Sequence, residues 1–311
     1  MRMSTAELER ESLRNGLVAA LIAYLIWGFL PIYFKLVHSV PPLEMLAHRV
    51  AWAVPFGALI LLFRGQMGDV KRALSDKRTF FLLCLSAAFV SFNWYLYIVT
   101  IQRNEIFQAS LGYYINPLMY MIVGVFLFQE KLRRLQILAV ILAGLGVTIL
   151  TFSGGQFPLI AILLAVSFTI YGVIRKQVAV GAMPGLFVET LLILPFAMIY
   201  LGWLWKNNTA VVDSITNPVV LALSLSGPLT VLPLLFFAIA ARRLRLTTIG
   251  MMQFLAPSLN FGVAMYYGEE LTTASIICFT CIWIAISLFI GDAWRQSRRI
   301  KGLREAGALT G

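Results

Sequence analysis

The sequence predicts an all-α polytopic membrane protein with ten transmembrane helices, arranged as two inverted five-helix repeats with both termini in the cytoplasm. Three observations lead to this prediction: an apolar composition, a one-sided distribution of basic residues, and an internal repeat. Of the 311 residues, 60% are hydrophobic and 13% are charged, and the mean hydropathy is +0.84. A soluble globule of this size needs more polar surface, so we expect lipid to surround the chain.

Ten apolar runs are long enough to cross a bilayer, because a hydrocarbon core of about 30 Å needs roughly 20 helical residues. The connections between the runs are short and leave no room for a soluble domain. The predicted spans are residues 16–34, 46–63, 80–99, 106–128, 135–152, 157–174, 186–205, 219–240, 247–267 and 273–290.

The basic residues predict the orientation of these spans. When the connections are assigned alternately to the two sides, 21 of the 25 Lys and Arg residues fall on the side of the N-terminus. Only Lys35, Arg103 and Lys206 fall on the other side, and Arg49 alone lies well inside a span. Cytoplasmic loops favour basic residues, so both termini are predicted to be cytoplasmic. The basic clusters are short and scattered, which argues against a nucleic-acid partner despite the net charge of +11.

The second half of the chain repeats the first. Pro117 and Glu130 match Pro257 and Glu270, each 140 positions later. Since five spans per copy is an odd number, the second copy enters the membrane in the opposite sense. Inverted repeats permit alternating access, so the sequence predicts transport with a binding site between the repeats. The predicted organisation is a cytoplasmic segment at 1–15, repeats at 16–152 and 157–291, and a basic cytoplasmic tail at 292–311.

The second span concentrates polar side chains. Glu44, His48, Arg49 and Trp52 have spacings of three and four, which predicts one inward-facing helical surface. The repeat offset takes Arg49 to Glu189, and we predict that these opposite charges approach each other across the repeat interface, directly or through the substrate. The alternative is that each side chain extends to a different membrane surface.

Pro117 and Pro257 predict helix kinks at equivalent places in the two halves, a pattern that indicates a transporter's binding site. Polar and aromatic side chains concentrate near them, although ordinary helix packing is the alternative for any single aromatic residue. The residues predicted to line the cavity are Trp27, His48, Arg49, Trp52, Asn93, Trp94, Tyr97, Gln108, Tyr113, Asn116, Tyr171, Glu189 and Gln253. Glu130 and Glu270 are instead predicted to cap neighbouring helices.

Several segments resemble a known family. AYLIWGFLPIYFKL, HRVAW, ASLGYYINPL and ETLLILPFAMIYL, in this order, resemble the RarD branch of the EamA group in the drug/metabolite transporter superfamily. The resemblance covers almost the whole chain. It implies a ten-helix inverted-repeat fold in a bacterial inner membrane, and an exporter or permease for small metabolites such as amino acids or amphipathic drugs. One position departs from the branch, because Gln108 replaces the usual acidic residue before ASLGY.

The expected function is therefore secondary transport of a small-molecule substrate within the lipid bilayer, with a proton as the candidate coupling ion and with no cofactor or metal. The sequence has no GxxxxGK[ST] loop, so ATP hydrolysis is not expected. Two alternatives stay open. A flippase for lipids or lipid-linked sugars would share the architecture, whereas a membrane-embedded enzyme would need a catalytic set that the loop-bound aspartates do not provide.

Overall fold

A computed structural model describes residues 5–37, 39–102, 106–153, 159–211, 218–266 and 272–305, and all regular structure in these ranges is helical. Eight of the helical segments are long and apolar enough to cross a membrane. The helices are α1 (Thr5–Leu36), α2 (Pro42–Phe63), α3 (Met67–Ser75), α4 (Lys77–Gln102), α5 (Ile106–Phe126), α6 (Arg134–Ser153), α7 (Leu159–Gln177), α8 (Ala182–Lys206), α9 (Pro218–Ser224), α10 (Ser226–Arg243), α11 (Leu246–Gln253), α12 (Leu255–Tyr266) and α13 (Thr273–Glu305).

Eight predicted spans coincide with the eight long segments, of which one joins α9 and α10. The other two predicted spans are also helical. The fourth predicted span corresponds to the continuous helix α5, and the ninth divides at Phe254 into α11 and α12. Pro257 lies just after this division and offers no N–H to the carbonyl of Gln253. By contrast, α5 continues across Pro117.

Three helical regions lie outside the predicted spans. α1 begins at Thr5 and α13 continues to Glu305, so much of each polar end segment is helical. Glu, Leu and Arg are good helix formers, which explains why these helices do not end with their apolar runs. The short helix α3 lies in a connection for which no helix was predicted, and it buries Val70 and Ala73.

The basic connections lie together at one end of the molecule, here called the basic end. Arg245 donates a hydrogen bond of 2.7 Å to the carbonyl of Lys131. Arg133 Nε lies 2.5 Å from Asp292 Oδ2, which joins the start of α6 to α13. The opposite end is where α1 ends and α2 begins.

Helices of the first half pack mainly on helices of the second half. α1 packs on α10 while α7 packs on α4, and α5 packs on α7 while α12 packs on α1. Likewise α2 packs on α10 while α8 packs on α4. Each helix has a counterpart in the other half: α1 corresponds to α7, α2 to α8, α4 to α10 and α5 to α12. Replacing both helices of a pair by their counterparts gives another of the pairs named here.

α6 and α13 form another extensive contact. Its interface is built from small buried residues, including Ala139, Ala143, Cys278 and Ala285. Small side chains allow membrane helices to approach closely and gain van der Waals contact. None of the described residues of this pair lines the cavity described below.

Candidate binding cavity

A cavity of about 660 Å³ lies between helices of both halves. Its lining on α1 comes from the second part of that helix, and its lining on α2 and α5 comes from their first parts, so it is displaced towards the end opposite the basic end. Most of its wall is aromatic or apolar, as in most small-molecule sites. The polar side chains that line it are Arg49, Asn93, Thr230, Gln253 and Asn260, and the aromatic ones are Tyr24, Trp27, Phe34, Trp94, Tyr97, Tyr113 and Phe168.

Arg49 is the one charged residue among the described residues of this lining. Its Nε donates a 2.9 Å hydrogen bond to Thr230 Oγ1, and the Thr230 hydroxyl in turn donates to the carbonyl of Ser226 at 2.7 Å. The guanidinium carbon lies 5.8 Å from the ring centroid of Phe34 and 5.9 Å from that of Trp94. These contacts orient the guanidinium and supply no negative charge to it.

A chain of amides crosses from α5 to α11. Asn116 Nδ2 donates to the carbonyl of Ala165 at 2.7 Å and to Thr169 Oγ1 at 3.1 Å. Its Oδ1 therefore accepts, and the donor is Gln253 Nε2. Asn93 forms a similar connection to α7, donating to the carbonyl of Leu164 at 2.8 Å.

An aromatic cluster lies between the cavity and the basic end. It consists of Tyr24, Tyr120, Phe168, Tyr171 and Phe237. The Tyr171 and Phe237 rings are stacked with centroids 6.0 Å apart, and Trp27 contacts Phe168 at 5.8 Å. Four members of this aromatic cluster are fully buried, so it closes the cavity on that side.

A buried ion pair lies on the basic-end side of the molecule. Arg175 Nη1 is 3.3 Å from Glu189 Oε1, which also accepts a 2.5 Å hydrogen bond from Ser86 Oγ. Arg175 further donates to the carbonyl of Ala182 at 2.8 Å. Gly185 leaves room for this guanidinium, because a Cβ there would lie 2.4 Å from Arg175 Nη1.

The predicted pairing of Arg49 with Glu189 is therefore wrong in this structure. Each residue lies seven positions after the first residue of its helix. Since α2 begins at the end opposite the basic end and α8 begins at the basic end, a rise of ~1.5 Å per residue puts the two charges at different depths. Glu189 pairs with Arg175 instead, and Arg49 donates a hydrogen bond to the neutral Thr230.

Seven of the thirteen residues predicted for the cavity line it: Trp27, Arg49, Asn93, Trp94, Tyr97, Tyr113 and Gln253. Asn116 and Tyr171 do not reach it, although Asn116 holds Gln253 and Tyr171 belongs to the aromatic cluster. The side chain of Gln108 lies outside the described part of the structure.

His48, Trp52 and Glu189 were predicted to line the cavity, but they do not. His48 Nε2 lies 4.0 Å from Glu44 Oε1, and Glu44 accepts the N–H of Val211 at 3.0 Å, while Trp52 is 39% exposed. Residues 44, 48 and 52 form a stripe at intervals of four. Arg49 lies about 100° further round the helix, and only this side chain faces the cavity.

The prediction missed several lining residues. Phe34 and Phe168 are aromatic residues in apolar spans, and the sequence does not distinguish such residues from lipid-facing ones. Thr230 and Asn260 carried a signal, since a polar side chain inside an apolar run usually faces the protein interior.

The predicted capping role of Glu130 is confirmed. Its carboxylate accepts the backbone N–H groups of Leu246 at 2.7 Å and of Thr247 at 2.9 Å, at the start of α11. Glu270 lies outside the described residues. The predicted kink residues also differ, because Pro257 lines the cavity beside the helix break and Pro117 lies within a continuous helix.

Comparison with known proteins places this geometry in context. The sequence profile of the EamA-like transporter family matches residues 14–152. Protein RarD of Salmonella typhimurium is 41% identical over 293 residues, which cover 94% of this chain and 100% of that protein. An uncharacterized transporter of Pseudomonas aeruginosa is 39% identical over 290 residues, covering 93% of this chain and 97% of the relative.

A second Pseudomonas aeruginosa protein, named chloramphenicol-sensitive protein RarD, is 27% identical over 290 residues, covering 92% of this chain and 96% of that protein. A crystal structure of a protein that is 19% identical superposes with a TM-score of 0.68 and covers 89% of this chain and 97% of the other. At that identity the superposition shows a shared fold and nothing finer.

Proposed function

The chain belongs to the EamA-like transporter family and to the RarD branch within it, and from this premise we propose that it is a secondary transporter of small organic metabolites. It is a multi-pass membrane protein of a bacterial transporter family. The finer proposal is an exporter or permease for solutes of the size of amino acids or amphipathic drugs.

The observation that supports this proposal best is the cavity. Its volume of about 660 Å³ falls in the range of sites that enclose small organic molecules, roughly 300–1,000 Å³. Aromatic faces with a few amide groups favour reversible binding of an amphipathic solute. The lining comes from α1, α2, α4 and α5 of the first half and from α7, α10, α11 and α12 of the second half, so relative movement of the halves would change access to it.

Alternating access is proposed from the inverted repeat. The exchange symmetry of the helix contacts supports it, and so does the family profile, which covers one half of the chain. In such a transporter the halves exchange roles to open the cavity to one side and then the other. The aromatic cluster and the pair of Arg175 and Glu189 then close the side that faces the basic end.

We place the protein in the bacterial inner membrane with the basic end in the cytoplasm, following the distribution of basic residues. Proton coupling is part of the same proposal. Glu189 is its candidate carrier, since this carboxylate is buried and its Oε2 has no hydrogen-bond donor among the described residues.

Transport in proteoliposomes tests the proposal. Radiolabelled amino acids and other small metabolites are offered with and without a proton gradient, to native protein and to Trp94→Ala. Trp94 forms a large part of the aromatic wall, so we expect the variant to raise the apparent KM at least about tenfold for any solute that is carried.

Phe196→Ala is the matched control, because this aromatic side chain is 73% exposed and lies away from the cavity. We expect native transport from it. If both variants transport like the native protein, the cavity is not the binding site.

A further inference from the structure

The positive charge of Arg49 has no acidic partner among the residues that the structure describes. None of the ion pairs found there includes Arg49, and no Asp or Glu is among the described residues that line the cavity. An unpaired cation inside a membrane is costly, and such residues generally mark substrate or ion sites. The arginine is therefore kept for something other than local pairing.

The guanidinium has unused hydrogen-bonding capacity. It carries five N–H donors, of which the described contacts use only Nε, on Thr230. The rings of Phe34 and Trp94 lie near the same group and limit its orientation. The two terminal nitrogens thus remain available for a bidentate acceptor, and a planar fork of this kind matches a carboxylate or phosphate.

Two amide oxygens of residues next to the cavity have no hydrogen-bond partner among the described residues. One is Gln253 Oε1, whose amide orientation is determined because Asn116 offers its Oδ1 to Gln253 Nε2. The other is Asn260 Oδ1. Both oxygens are buried, so the cavity does not expose them to a solute, and the inference rests on Arg49.

We propose that the cavity selects a small amphipathic solute that carries a carboxylate or another anionic group for Arg49. This inference names the substrate class of the proposed transporter and so rests on that function. It disfavours organic cations, because Arg49 repels a positive group and no acid in the described lining attracts one.

Binding to purified protein in detergent micelles tests the proposal. Titration calorimetry compares two matched sets, built on phenylalanine and on leucine. Each set contains the amino acid, its methyl ester, the corresponding acid without the amine, and the corresponding amine without the carboxylate. We expect both acids to bind at least about tenfold more tightly than the ester and the amine, because only they offer a carboxylate to Arg49.

One substitution assigns the interaction to its residue. Arg49→Gln should reduce the preference for acid over ester to less than about threefold, because the charge is lost. Arg72→Gln is the control, since this arginine is 81% exposed and lies outside the cavity, and it should bind like the native protein.

The native comparison decides the matter even if a variant fails to fold. Equal binding of acid and ester, tighter binding of the amine, or no binding of either set up to about 10 mM would overturn the proposal. An Arg49→Gln protein that keeps the full acid preference would do the same.

Failure of the transport proposal has a different signature. If acids bind through Arg49 but never cross proteoliposome membranes, the anion site stands and transport falls. If solutes cross with a Trp94 dependence but without an Arg49 dependence, transport stands and the anion site falls.

Discussion

At the scale of single residues, Arg175 and Glu189 form the contact outside the cavity whose loss we expect to cost the most stability. Both side chains are 1% exposed, and Ser86 adds a hydrogen bond to the carboxylate. Removing one partner leaves an uncompensated buried charge, which typically costs about 3–5 kcal/mol, whereas replacing both by apolar residues costs much less.

We therefore expect Arg175→Met and Glu189→Leu each to lower the melting temperature in detergent. The double variant should lower it by less than the sum of the two single effects. The coupling free energy should be about 0.5–3 kcal/mol, as found for residues in contact. The same cycle on Arg49 and Glu189 is the control and should be additive, since these residues have separate partners. Additivity of Arg175 with Glu189 would contradict the buried pair.

The sequence predicts single residues of the cavity where polarity is conspicuous. Arg49, Asn93 and Gln253 stand out because a polar group in an apolar run is costly unless it faces the interior. The same rule misassigned Glu189, which faces a partner rather than the cavity. Which acid an arginine meets depends on helix depth, and an offset between repeats does not give that depth.

At the scale of helices, the positions of the spans were predicted well because long apolar runs have few alternatives in a membrane. Breaks within the helices were harder to predict. Both Pro117 and Pro257 remove a backbone donor, yet only the segment before Pro257 divides into two helices. The two segments also pack closely on each other: a Cβ at Gly250 of α11 would lie 2.5 Å from the carbonyl oxygen of Pro117.

The helix ends at the basic end are held by charged side chains. Glu130 accepts two N–H groups at the start of α11, and Lys176 donates to the carbonyl of Ala241 at the end of α10, at 3.2 Å. Both arrangements match charge to the helix dipole. The cap by Glu130 could be predicted from its position after a span, whereas Lys176 could be predicted only as part of a basic connection.

At the scale of the whole molecule, the basic end fixes an expected orientation. We predict that an alkaline phosphatase fused to the C-terminus is inactive and that a fusion at Lys206 is active, because basic connections stay in the cytoplasm. Activity measured in intact bacterial cells decides this. An active C-terminal fusion with an inactive fusion at Lys206 would reverse the predicted orientation.

The unpaired guanidinium in the cavity also has an electrical consequence. Moving one elementary charge through the membrane field is worth about 2.3 kcal/mol per 100 mV. An empty carrier holds the full positive charge of Arg49 at its binding site, whereas a site that holds a monovalent anion is locally neutral. We therefore expect an imposed potassium diffusion potential to change the rate of net efflux, which requires the empty carrier to return, and to leave the exchange of labelled for unlabelled solute unchanged.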